Sequence, residues 1–247
     1  MVLPNIDIIN GLTGLEIIAA GYILAFILIF KHARKATDIK VKKRLILSGI
    51  GLISVFHAWF GVSASFLLMI FGFPPLGYPD GDPNIGVLGY AWGPALGATI
   101  WAYIASDLFK EGRYKIPITG IVGIVSIIFA ILIYSNPSTY TSWKPSEEIG
   151  GGLPSTGIKG LALALLGVVL VIMMVILGPA ILQSGSKLED KTAKWRRYSM
   201  GLGIMFVSLF GIIDAGVSDM PLIGLAIVKA SIFTSIFLIY EGIDKGV

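Results

Sequence analysis

Four ionisable side chains lie inside long apolar stretches of the chain: Glu16, His57, Asp214 and Lys229. A charge in hydrocarbon costs at least ~2.5–3.5 kcal/mol on insertion scales, so such a group comes with a partner or a task. Together, two carboxylates, an imidazole and an ammonium can form a buried ionic cluster, hold a polar ligand or relay a proton. Lys229 is the sharpest of the four, in the run MPLIGLAIVKASIFTSIFLIYEG (220–242). Its depth from Pro221 is roughly 12 Å at about 1.5 Å per residue. On the same scale Glu16 is roughly 8–12 Å and Asp214 roughly 5 Å below the same boundary. Lys229 is therefore expected to pair with Glu16, Asp214 or both. His57, with Trp59 following, falls nearer the midplane. Two readings of the cluster stay open: an ion pair that pins the last helix against the first and sixth, or an outward-facing polar ligand or proton site.

Other chemistry is absent from the sequence. There is no cysteine, which excludes disulfides, iron–sulfur clusters and thiol catalysis. The two histidines, His32 and His57, differ in depth by roughly 15–20 Å and cannot jointly ligate a haem. No His-Glu-x-x-His or paired-carboxylate metal motif occurs. Gly61-Val62-Ser63-Ala64 has the Gly-x-Ser of intramembrane serine proteases, but His57 shares its helix and points elsewhere. Gly150, Gly151 and Gly152 form no phosphate loop, since no Gly-Lys-Ser/Thr follows. No catalytic residue, metal or cofactor is expected.

These residues need a scaffold, and the composition dictates its kind. Of 247 residues, 55% are hydrophobic and 14% charged, with a mean hydropathy of +0.84. Soluble domains carry roughly 25% charged residues. Seven apolar spans are expected, at about 9–30, 45–72, 86–108, 117–134, 158–182, 198–217 and 222–240, each near the ~17–25 residues needed to cross a bilayer. None shows the alternation of a membrane barrel. The predicted fold is an all-α, seven-helix membrane bundle forming one integral domain over 1–247. MVLPNIDIIN has no lysine or arginine, so no signal peptide is expected and the first helix serves as its own insertion signal.

The basic residues give the orientation. Segments after the first, third, fifth and seventh spans hold Lys31, Arg34, Lys35, Lys40, Lys42, Lys43, Arg44, Lys110, Arg113, Lys115, Lys187, Lys191, Lys194, Arg196, Arg197 and Lys245. That is 16 of the 19 Lys and Arg. The other side has only Lys144 and Lys159, and Lys229 is intramembrane. The positive-inside rule puts the N-terminus outside and the C-terminus in the cytoplasm of the plasma membrane. The basic surplus is thus a topology signal with anionic lipid contacts, and no nucleic-acid partner is expected.

Gly89, Gly93 and Gly97 recur every fourth residue beside Pro94, giving the third helix a nearly bare face for close helix packing. That face serves either packing within the bundle or contact with another copy or subunit. The outer segment 71–84 is rich in proline, glycine and aspartate and reads as a stiff hairpin. The outer segment 135–157 is longer and carries Glu147 and Glu148, and loops of that length are functional or disordered. The inner segments 32–44 and 184–197 read as basic helical extensions, and Asp107 is expected to meet them.

Two resemblances complete the reading, and neither assigns a family. The layout resembles microbial rhodopsins, which have seven helices, an outside N-terminus and a retinal-bearing lysine in the seventh helix. Lys229 in IVKASIF carries that likeness and implies retinal as an alternative. Leu225 stands where rhodopsins place an aspartate, and GYAWGPALGATIWAY lacks their arginine and acidic counter-ion. The turn KTAKWRRYSMGLG is similar to basic turns in seven-helix input modules of prokaryotic sensor kinases. The expected function is a non-catalytic membrane module: a sensor working through separate protein partners, or an integral subunit of a larger complex. A transporter or channel using Glu16, Asp214 and Lys229 is the further alternative.

Overall fold

A computed structural model describes residues 5–74, 83–106, 114–144, 155–217 and 220–243. The described residues are almost wholly helical. Six helices among the described residues are long and apolar enough to cross a membrane, as α1, α2 and α4–α7 below. Helix α1 covers Asp7–Lys35, α2 Ile39–Ile70, α4 Lys115–Ser135, α5 Gly160–Ser186, α6 Lys191–Gly216 and α7 Leu222–Gly242. A further long helix, α3, covers Pro83–Ser106 with Pro94 inside it. Consecutive helices pack against one another, and α7 returns to pack against α1, so the bundle closes.

The helices overrun the apolar runs at their basic ends, as 32–44 and 184–197 led one to expect. Asp38 caps α2 by accepting the Lys40 amide at 2.7 Å. Asp190 caps α6 by accepting the amides of Thr192 and Ala193 at 3.2 and 3.0 Å. These carboxylates satisfy amides left orphaned at a helix start. Arg44, Ile104, Arg197 and Ile243 line one small cavity, so the corresponding ends of α2, α3, α6 and α7 meet at the same end of the bundle.

Three helices depart from α geometry. Helix α2 tightens into a 3₁₀ turn at His57–Trp59. Helix α1 widens into a π segment at Ile27–His32. Helix α5 does the same at Ile172–Leu177, where the Gly178 amide reaches back to Met173 O. Pro179 supplies the reason in α5, because its ring lacks an N–H and crowds the preceding turn.

Glycines bring the helices close. A methyl built on Gly89 would lie 2.4 Å from His57 O, one on Gly93 2.5 Å from Ser54 O, and one on Gly97 2.4 Å from Val55 Cγ2. The glycine face of α3 therefore lies against the backbone of α2 within this chain. Gly11, Gly14 and Gly21 of α1 sit in the same way over Phe66, Ser63 and Phe56 of α2.

The segment 135–157 contains more order than its length implied. Asn136 caps a single turn, Pro137–Tyr140. An antiparallel pair follows, β1 (Thr141–Lys144) with β2 (Ser155–Ile158), Thr141 facing Ile158. Glu147, Glu148 and Gly150–Gly152 lie outside the described residues, as do most of the 71–84 segment, Asp107, Lys110, Arg113 and Lys245.

Candidate functional site

Lys229 and Asp214 form a buried ion pair. Lys229 Nζ is 2.9 Å from Asp214 Oδ1 and 3.0 Å from Oδ2, with the side chains 3% and 10% exposed. A third residue completes the arrangement. Trp59 donates its indole N–H to Asp214 Oδ2 at 2.9 Å. Lys229 Nζ also stands 5.6 Å from the centre of the Trp59 ring, within cation–π range. Three helices thus meet at one carboxylate: α2 through Trp59, α6 through Asp214 and α7 through Lys229.

Helix ends explain why this carboxylate needs two donors. Asp214 lies in the last turn of α6, which ends at Gly216. The C-terminal end of a helix carries partial negative charge, so an anion there is disfavoured. The Lys229 ammonium and the Trp59 N–H offset that repulsion and the loss of water. The net charge of the pair is zero, as burial in an apolar bundle requires.

The structure separates the four ionisable residues. Glu16 is not in the cluster. It is exposed on the outer surface of α1 and makes no ion pair or hydrogen bond among the described residues. Of the two depth-matched candidates, the partner of Lys229 is Asp214. His57 is also elsewhere. Its Nδ1 shares a hydrogen bond of 2.5 Å with Tyr22 Oη, the direction following the imidazole tautomer. The two rings lie nearly parallel, at 9°, and Phe60 stacks on the imidazole at 4.9 Å. His57 therefore ties α2 to α1, two residues before Trp59 ties α2 to α6. Gly89, Gly93 and Gly97 support this segment from behind, since Gly89 rests on His57 O.

Beside the ion pair is a cavity of about 70 Å³. Its walls come from α2, α3, α5, α6 and α7, and Trp59, Trp101, Ala98, Met173, Ser208 and Asp214 are among its lining residues. The wall is almost entirely apolar apart from Asp214 and Ser208. Ser208 is 1% exposed, and its hydroxyl has no hydrogen-bond partner among the described residues. A helical serine ordinarily bonds back to a carbonyl one turn earlier. An unmade hydrogen bond on a buried hydroxyl costs about 1–3 kcal/mol. Pro94, Leu170, Val207 and Gly211, also in the lining, are only half-buried, so the cavity reaches toward the outer surface between α3, α5 and α6.

The sequence placed Trp59 beside His57 without a partner and gave no role to Tyr22 or Ser208. The signal for Trp59 and Tyr22 was available: an indole N–H or a phenol in a membrane helix needs a partner. Ser208 carried no comparable signal, because serine in a membrane helix usually satisfies itself. Among the described residues no group of three or more His, Cys, Asp or Glu side chains converges as a metal site. In comparison with known proteins, no family model matches the chain, and neither a curated protein nor a solved structure matches it.

Proposed function

We propose that this is a non-catalytic, seven-span membrane module that receives a small, mainly apolar ligand in the cavity beside Asp214. One observation carries the reading: an apolar cavity of about 70 Å³ containing a buried, unpartnered hydroxyl, Ser208 Oγ. The hydroxyls of Ser48, Thr119, Ser126 and Ser199 are also buried without a partner among the described residues, and Ser208 is the one of them that lines this cavity. A ligand bearing one hydrogen-bonding group would satisfy Ser208 and fill the apolar remainder. The cavity is about half the ~150 Å³ that admits benzene, so it suits a short chain or the end of a longer one. Access between α3, α5 and α6 suits a ligand arriving from the lipid.

The walls also offer a means of response. Ala58 and Trp59 of the 3₁₀ turn and Met173 of the π segment line the cavity. Non-α turns within helices often mark functional hinges. A ligand that favours one winding of α2 would move Trp59, and with it Asp214, Lys229 and the junction of three helices. A signal of this kind passes to separate protein partners. Orientation follows the basic residues: the ends bearing Lys31 to Arg44 and Lys187 to Arg197 face the cytoplasm of the plasma membrane, and the N-terminus is outside.

The test is solvent extraction of the protein purified in nanodiscs, with mass spectrometry, against a variant with Ala98→Leu filling the cavity. The reading expects a stoichiometric small molecule in the parent and its loss in the variant. Identical extracts would refute it. The retinal alternative reads out in the same sample as a visible band bleached by hydroxylamine. The integral-subunit reading has its own supporting observation, the exposed Glu16.

A further inference from the structure

Glu16 occupies a regular seam on the outside of the bundle. The exposed residues of α1 include Leu12, Glu16, Ala19, Ile23, Phe26 and Phe30, spaced alternately four and three apart. That is the spacing of one face of a helix, and Glu16 is the charged member of this otherwise apolar face. The opposite side of α1 is already occupied: Ile17, Ala25 and Leu28 are fully buried, and the glycines lie on α2. Glu16 is roughly 16 Å from Asn5 and roughly 22 Å from Lys31 along the helix axis, well inside the apolar span. An ionisable group at such depth pairs with a partner or faces water. Among the described residues no side chain pairs with it. Lys229 is held by Asp214 and His57 by Tyr22, and the flanking positions of the seam are apolar.

We propose that this stripe is the docking face for a single transmembrane helix of another protein, one that carries a lysine or arginine opposite Glu16. Charge complementarity selects that occupant. A second copy of this chain, docked by the same stripe with two-fold symmetry, would place Glu16 against Glu16. Lipid alone would leave the carboxylate without a counter-charge. A partner helix lying along this face would set apolar side chains against Leu12, Ile23 and Phe26, with its cation opposite Glu16. The surface is distinct from the cavity, whose lining includes no α1 residue.

The test uses the full chain, labelled and reconstituted in phosphatidylcholine vesicles, with energy transfer to labelled single-span polyleucine peptides. One peptide has a lysine at the depth of Glu16, one is leucine throughout, and one has a glutamate. The proposal expects the lysine peptide to bind about tenfold or more tighter than the leucine peptide. Glu16→Gln should remove that preference, and Glu16→Lys should transfer it to the glutamate peptide. Glu16 is exposed and makes no hydrogen bond or ion pair among the described residues, so these variants should retain the parent's thermal stability. Equal binding of the lysine and leucine peptides, or a lysine preference that survives Glu16→Gln, would overturn the proposal. Energy transfer between two parent chains that Glu16→Gln abolishes would also overturn it, in favour of a symmetric pair.

Discussion

Replacing Lys229 by leucine should show how the three-helix junction is held. The substitution keeps the apolar bulk and removes the ammonium, leaving Asp214 with the Trp59 N–H alone. Removing one partner of a buried ion pair typically costs about 3–5 kcal/mol, because the remaining charge has lost its compensation. The double variant Lys229→Leu, Asp214→Leu leaves no buried charge, and such replacements are often neutral or better. Here it also orphans the Trp59 N–H, which costs about 1–3 kcal/mol. The order of stability should therefore be parent, then double variant, then Lys229→Leu. Glu16→Leu should not rescue Lys229→Leu, since Glu16 lies outside the cluster. The assay is reversible unfolding by sodium dodecyl sulfate in mixed micelles, followed by tryptophan fluorescence and circular dichroism. A Lys229→Leu variant within about 1 kcal/mol of the parent would refute the argument, as would a double variant no more stable than the single one.

Three further outcomes follow from the same contacts. Gly93→Ala sets a methyl 2.5 Å from Ser54 O and should destabilise by about 1–3 kcal/mol through overpacking; Gly167→Ala, with open space around it, should not, and thermal unfolding in detergent compares them. Tyr22→Phe removes the His57 hydrogen bond and should cost about 0.5–1.5 kcal/mol in the same assay. Ser208→Ala removes the unpartnered hydroxyl and should leave the empty protein as stable or more so, while weakening a hydrogen-bonding ligand by up to about tenfold, read by isothermal titration once the ligand is in hand.

Six of the seven expected spans were legible because a run near twenty apolar residues is a strong signal, and six long apolar helices among the described residues contain or closely match them. The basic segments 32–44 and 184–197 were legible as helical extensions, but the carboxylates that start their helices, Asp38 and Asp190, came from the structure alone. Which acidic residue meets Lys229 was not legible. Depth along a helix comes from counting residues, and depth admitted both Glu16 and Asp214. Rotation about the axis decides between them, and helices that are apolar on every side do not declare their inner face. The third partner was hidden for a related reason: Trp59 reaches Asp214 from a 3₁₀ turn that no proline or glycine pair announces. The glycines of α3 showed a close approach but not its target, which is the backbone of α2.

The central claim, a ligand seated against Ser208 and Trp59, is tested most directly by extracting the purified protein and its Ala98→Leu variant side by side. The account predicts one small molecule at about one copy per chain in the parent and none in the variant. The same molecule added back should stabilise the parent by about 2.7 kcal/mol at a hundred times its Kd and leave the variant unchanged. Matching extracts, or equal stabilisation of both proteins, would contradict it.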